Sequence, residues 1–195
     1  YGAPGTGETT TIINLINKYQ TLHDEKNMGL MIHLNASDER GIDIIRNQIN
    51  NFVNSKSLFK KGMKFIILDE VDSMTKSAQF ALKYLLQENN YNVRLCLICN
   101  YISKVEENLQ NEFVKLRFNE LPQERIFNHL KNIIDKENVN IKEDEIKMIQ
   151  INYRSDIRSM INYLQIINTK DRDLKIMNEE IFKTIINLIK NNKYN

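Results

Sequence analysis

The sequence predicts an α/β fold, a parallel sheet covered by helices, followed by a small all-α unit. Three observations predict it. Continuous apolar runs such as "KFIILDE" and "VRLCLIC" alternate with amphipathic helical stretches, as expected of strands buried on both faces. Three of the six glycines lie in the first seven residues, where they let the backbone curl around an anion. Past Leu121-Pro122 strand signals stop and every stretch reads as helix.

The elements follow in order. A helix is expected to start at Thr9 and run toward Leu22, with Ile12, Ile13, Leu15 and Ile16 as its apolar face. "LMIHL" reads as a short buried strand. "NASDERGIDIIRNQINNFV" reads as a turn and then a helix, with Ser37 or Asp38 placed to cap it. "KFIILDE" is the clearest strand, and "KSAQFALKYLLQE" is a helix of strong formers. "VRLCLIC" is a further strand, "ISKVEENLQNE" a helix and "VKLRF" a last strand. Four helices are then expected, over about 123–136, 142–151, 155–167 and 178–191, with "KDRDLK" as a charged connector before the last.

Composition bounds the class. The chain has 195 residues, 42% hydrophobic and 27% charged, with a net charge of +2. That suits a soluble globular protein and gives no global field that advertises nucleic acid. No apolar run reaches membrane-spanning length, and no signal peptide is visible in a chain that starts at Tyr1. Cys96 and Cys99, in "RLCLICN", read as parts of a buried strand, since no second Cys pair or nearby His completes a metal site. Reduced thiols suggest an intracellular protein. The abundance of Asn, Ile and Lys fits an AT-rich coding sequence.

The opening "YGAPGTGETTT" is one letter from the phosphate-binding pattern G-x-x-x-x-G-K-[ST]. Gly2, Gly5, Gly7 and Thr9 fit it, but Glu8 stands where the lysine belongs. "FIILDEVD" places Asp69 and Glu70 at the carboxyl edge of a parallel sheet, the edge where open α/β folds bind ligands. Beside a phosphate loop, the first acid can hold Mg²⁺ through water and the second can polarise an attacking water. The next strand ends in Asn100, whose amide is placed to orient that water or to meet a γ-phosphate.

Four phrases, "LNASDERGIDIIRNQI", "FIILDEVDSMTKSAQFAL", "LCLICNYISKV" and "SDIRSMINYLQ", resemble the small subunits of replication factor C. This is the eukaryotic and archaeal sliding-clamp loader within the AAA+ superfamily. The likeness runs from Gly2 to about Gln165. It implies an AAA+ P-loop core over 1–121, a helical lid over 122–169, and at 170–195 a linker with the possible start of a truncated collar. The family's first strand and adenine-contacting segment are missing ahead of the loop.

The resemblance also implies roles. Gly2, Gly5, Thr6, Gly7, Glu8, Thr9 and Thr10 form the stretch that would hold ATP. Thr9 and Asp69 match the Mg²⁺-binding positions and Glu70 the water-activating acid. Asn100 matches the first sensor, and Arg158, in "SDIRSM", the second. Arg40, Arg46, Lys76 and Lys83 are the basic residues placed to meet a DNA backbone. The implied partners are other loader subunits in a hetero-oligomeric ring, a PCNA-type clamp and primer-template DNA. The implied location is a nucleus or a viral replication site.

Three departures modify this reading. Glu8 replaces the loop lysine. "LQNEF" stands where the family reads L-Q-S-R-C, so Glu112 replaces an arginine finger. "ALKY" replaces A-L-R-R, with Lys83 and Tyr84. Two charge reversals point to a subunit that scaffolds partners and does not hydrolyse ATP. The alternatives are an active clamp-loader ATPase and, more distantly, another AAA+ DNA motor.

Overall fold

The computed structural model describes residues 1–25, 29–37, 42–55, 62–87 and 92–169, with Lys183, Ile186, Asn187 and Ile189. Contacts group the chain into two units, one of Tyr1–Gly2 with Gly7–Asn119 and one of Ala3–Thr6 with Glu120–Asn195.

The first unit holds α1 (Glu8–Leu22), β1 (Met31–Asn35), α2 (Ile42–Asn54), β2 (Lys64–Asp69), α3 (Lys76–Gln87), β3 (Val93–Leu97) and α4 (Glu107–Gln110), with 3₁₀ turns at Val71–Ser73 and Ile102–Lys104. The strands form one parallel sheet in the order β1-β2-β3. Asn35 lies opposite Asp69, and Leu68 opposite Leu97.

β2 is apolar throughout its middle because it is central and buried on both faces. Its side chains alternate between two cores. Ile66 and Leu68 pack on one face with Ile49 of α2, Ala78 and Leu82 of α3, and Leu109 of α4. Phe65 and Ile67 pack on the other with Ile16 of α1 and Ile98.

Two expectations for this unit change. "ISKVEENLQNE" is not one helix but a 3₁₀ turn and the short α4, separated at Val105–Glu106. The cause is a pair of glutamines. Gln79 accepts the Glu106 N–H at 2.7 Å and donates to the Lys104 carbonyl at 3.1 Å. Gln110 donates to the carbonyls of Ile102 (3.0 Å) and Val105 (2.8 Å). These side chains take backbone groups that a continuous helix would use itself. "VKLRF" forms no full strand. It pairs at a single parallel bridge, Phe118 with Gly2.

In the second unit, α5 (Gln123–Glu137), α6 (Glu143–Tyr153) and α7 (Ile157–Thr169) surround one core. Ile126, Leu130 and Ile134 recur every four residues along α5 and meet Ile146, Ile149, Met160 and Leu164. Pro122 precedes the first residue of α5, and Asn138 ends it at φ 52, in the left-handed region. The Lys142 N–H donates to Glu145 Oε2 at 2.8 Å at the start of α6. Asp156 starts α7 by accepting the Ser159 N–H (3.1 Å) and hydroxyl (2.7 Å). The connector over 170–175 lies outside the described residues, as does the helix expected over 178–191, apart from the four residues named above. Among the described residues no helix is long and apolar enough to cross a membrane.

Candidate nucleotide and metal site

The glycine loop runs straight into α1. Gly5 and Gly7 have φ of 78° and 92°, a region that costs other residues roughly 1–2 kcal/mol. Gly2 is required by close approach instead, since a Cβ there would stand 2.5 Å from the Phe118 carbonyl oxygen. The first turn of α1 follows at once, with the N–H groups that a helix cannot satisfy internally. Together with the helix dipole they make a seat for an anion. The start of α1 therefore offers backbone N–H groups that suit a phosphate group.

Its side chains add no cation. Glu8 is the first residue of α1 and only 7% exposed. Its Oε1 is fully buried and accepts no hydrogen bond. A Cβ on Gly2 would lie 2.9 Å from that oxygen, so the carboxylate lies against the start of the loop. It lines a cavity of about 170 Å³ with Tyr1, Ile12, Cys99, Phe113 and Phe118. Burial pushes the Cys99 thiol pKa up; the terminal amino group lowers it, while Asp72 and Glu8 add to the rise. The Cys96 thiol is pushed up by burial too.

The acids at the sheet edge form the second half of the site. Asp69 closes β2, and its Oδ2 accepts the Thr9 hydroxyl at 2.8 Å. This bond spans 60 residues of sequence and joins the start of α1 to the end of β2. A hydroxyl beside a carboxylate is a hard-oxygen pair, and it fits Mg²⁺. Among the described residues no three His, Cys, Asp or Glu side chains converge on a metal position, so such an ion would draw its other ligands from water and phosphate.

Asp69 Oδ1 accepts the Glu70 N–H at 2.9 Å. Glu70 is held at φ 57, a left-handed conformation rare for a side-chain-bearing residue. Such strain, roughly 1–3 kcal/mol, gathers at functional sites. The end of β3 is fastened to the same edge. Ile98 N–H donates to the Leu68 carbonyl (2.8 Å), and Val71 N–H to the Ile98 carbonyl (3.1 Å). Tyr101 N–H donates to Asp72 Oδ2 at 3.1 Å. Asn100 lies exposed between these ties.

The remaining sites divide. Arg158 is exposed on the first turn of α7, in the second unit. Thr6 belongs to that unit as well and is buried, its hydroxyl on the Ala3 carbonyl at 2.8 Å; Thr10 is exposed on α1. Lys76 pairs with Glu106 at 3.1 Å and Lys83 with Glu112 at 3.2 Å. The two departures at Lys83 and Glu112 thus meet each other. Arg46 is half-buried on α2, and Arg40 lies outside the described residues, as does the cap candidate Asp38. Ser37, the other cap candidate, instead donates its N–H and hydroxyl to Asn35 Oδ1, each at 2.9 Å.

Sequence reasoning missed His33, whose Nε2 stands 3.5 Å from Asp69 Oδ2. The available signal was one histidine between the apolar residues of a strand whose last residue, Asn35, lies level with Asp69. Asp72 and Gln79 were missed as well. Their work is to hold loop backbone, which no spacing announces.

Comparison with known proteins adds the relationship. Residues 1–121 match the model of the ATPase family associated with various cellular activities (AAA). The chain is 43% identical over 169 residues to replication factor C subunit 5 of Mus musculus, covering 86% of this chain and 49% of that protein. It is 38% identical to replication factor C subunit 3 of Saccharomyces cerevisiae over 165 residues, 85% of this chain and 48% of the other. It is 39% identical to replication factor C small subunit 2 of Pyrobaculum arsenaticum over 174 residues, 89% of this chain and 53% of the other. The chain spans about half the length of these relatives.

Proposed function

This chain belongs to the AAA family of ATPases, and on that footing we propose that it serves as a sliding-clamp loader subunit in DNA replication, helping to place a PCNA-type clamp on primed DNA. Its partners are other loader subunits in a hetero-oligomeric ring, the clamp and the DNA backbone. Its place of work is a nucleus or a viral replication site. Its own part is to hold partners, without turning ATP over.

One observation carries the non-hydrolytic reading: Glu8 is buried at the lysine position with an unpartnered oxygen. A cation about 4 Å from a phosphate gains roughly 4 kcal/mol at an effective dielectric near 20. A carboxylate forfeits that attraction and adds a repulsion of similar size. Half of the sum lowers affinity by about two to three decades. Lysine also stabilises charge on the transferring phosphoryl group, so the rate falls further. Glu112 removes a second cation, of a kind worth roughly 10³ or more in rate to a neighbouring site.

The rest of the site argues for a retained shape. When bound, Mg²⁺ would supply Lewis-acid polarisation of phosphate oxygens. Thr9 and Asp69 are the residues to hold it, and the first-turn amides of α1 would seat the phosphates. Glu70 would orient a water and Asn100 would support that water; Arg158 keeps the second-sensor role that the resemblance implies.

The intact Thr9–Asp69 bond favours a second reading, an active ATPase that tolerates Glu8. An ATPase assay with clamp and primed DNA separates the two. The expected result is no turnover above background. Turnover that disappears in Glu70→Gln overturns the scaffold reading. Failure of clamp and loader subunits to co-purify with the chain overturns the loader role.

A further inference from the structure

β1 alternates, and the alternation fixes where His33 points. Ile32 and Leu34 pack against the core beneath α2 and α3. Met31 packs in the opposite core, the one that contains Ile16 of α1. His33 shares the Met31 face. Phe65, Ile67 and Asp69 share the corresponding face of β2, and Thr9, the second residue of α1, lies beside it. Three elements therefore deliver a ring nitrogen, a carboxylate and a hydroxyl to one place. His33 Nε2 lies 3.5 Å from Asp69 Oδ2, and Thr9 Oγ1 lies 2.8 Å from that same oxygen. The His33 and Asp69 side chains are 39% and 23% exposed, so an ion can reach them from solvent.

The 3.5 Å separation is longer than an ordinary N–H···O hydrogen bond, about 2.7–3.2 Å. It is close to the separation of two ligands on one ion: bonds of about 2.0–2.1 Å at a tetrahedral angle put them roughly 3.3–3.4 Å apart. Mg²⁺ takes oxygen ligands and gives up water reluctantly. Imidazole suits Zn²⁺, Co²⁺ and related ions.

We propose that His33 is a metal ligand that makes the Thr9–Asp69 position prefer a nitrogen-accepting divalent ion over Mg²⁺. The inference rests on the reading that Thr9 and Asp69 hold a divalent cation. His33 and Asp69 are the protein's nitrogen and carboxylate ligands; the Thr9 hydroxyl, water and phosphate complete the shell.

The test titrates Co²⁺ into the full chain, followed by its visible absorption and by calorimetry, with Mg²⁺ titrated separately. His33→Ala is expected to weaken Co²⁺ binding by about tenfold or more and change its spectrum, while Mg²⁺ affinity stays within about twofold. His33→Gln, which keeps a hydrogen-bonding side chain, is expected to follow His33→Ala. Asp69→Asn is expected to lose both ions, with circular dichroism checking that each variant folds. Unchanged Co²⁺ binding in His33→Ala, or an equal loss of both ions, overturns the assignment of His33 and leaves the cation site standing. Binding of neither ion, or binding that survives Asp69→Asn, overturns the cation site and the proposal with it.

Discussion

Glu8 sets the terms at the scale of single residues. Its departure from the phosphate-loop pattern is legible in seven letters of sequence. Its burial and its unpartnered oxygen are not, because they depend on Gly2, Phe118 and β3 closing around it. On the proposed non-hydrolytic reading, Glu8→Lys supplies the cation that the loop lacks. ATP affinity, read with a fluorescent analogue, is expected to rise by about two to three decades. No gain would mean that the loop lost more than its cation. The thiols give a second prediction at this scale. The thiolate is the reactive form, and burial holds both Cys96 and Cys99 above the ordinary thiol range. Neither should be alkylated at neutral pH in the folded chain. Labelling is expected only in denaturant or at pH above that range, and rapid modification of native protein near pH 7 would contradict the burial argument.

Elements are held by side chains that reach into other elements' backbones, which periodicity cannot reveal. β2 and β3 are readable as apolar runs because a doubly buried strand has no polar face. The stretch 102–112 reads as helix because its own residues favour one, yet Gln79, on α3, claims the Glu106 N–H and the Lys104 carbonyl. Gln79→Leu is therefore expected to destabilise the chain by about 2–4 kcal/mol, since the Glu106 N–H and the Met74 and Lys104 carbonyls all lose a partner. The measurement is denaturant unfolding, with hydrogen exchange expected to rise across 102–112. Lys64 does similar work at the end of α2. Its Nζ donates to the carbonyls of Phe52 (2.6 Å), Val53 (2.9 Å) and Ser55 (2.6 Å) and sits 5.4 Å from the Phe52 ring centre. The Phe52 and Val53 carbonyls are among those that a helix end leaves open, at its negative pole, and Ser55 follows the last residue of α2. Lys64→Met keeps most of the apolar stem and removes the cap, so a loss of about 1–3 kcal/mol is expected. A change below about half a kcal/mol would assign α2 to its apolar packing alone.

Across the whole molecule, the proposed loader role raises the question of how much positive charge is available to a DNA backbone. The sequence offers Arg40, Arg46, Lys76 and Lys83, and a net charge of only +2. Which basic residues have acidic neighbours is not legible, because Glu106 and Glu112 come from a stretch whose path is set by glutamine contacts. In the folded chain Lys76 faces Glu106 and Lys83 faces Glu112. Largely solvent-facing pairs of this kind contribute little to stability, about 0–1 kcal/mol, but each offsets one positive charge that the proposed DNA contact would use. Each neutralised phosphate contributes a slope of about −0.9 to log K against log salt on duplex DNA. If the proposed DNA role is correct and two of these four residues meet phosphate, the slope for this chain on a primer-template duplex is expected near −2. Arg46→Ala should remove about one unit of it, while Glu106→Gln and Glu112→Gln should each add up to about one by releasing a lysine. A wild-type slope near −4 would mean that both lysines reach phosphate despite their acids. The ion pairs would then be a resting arrangement that DNA displaces.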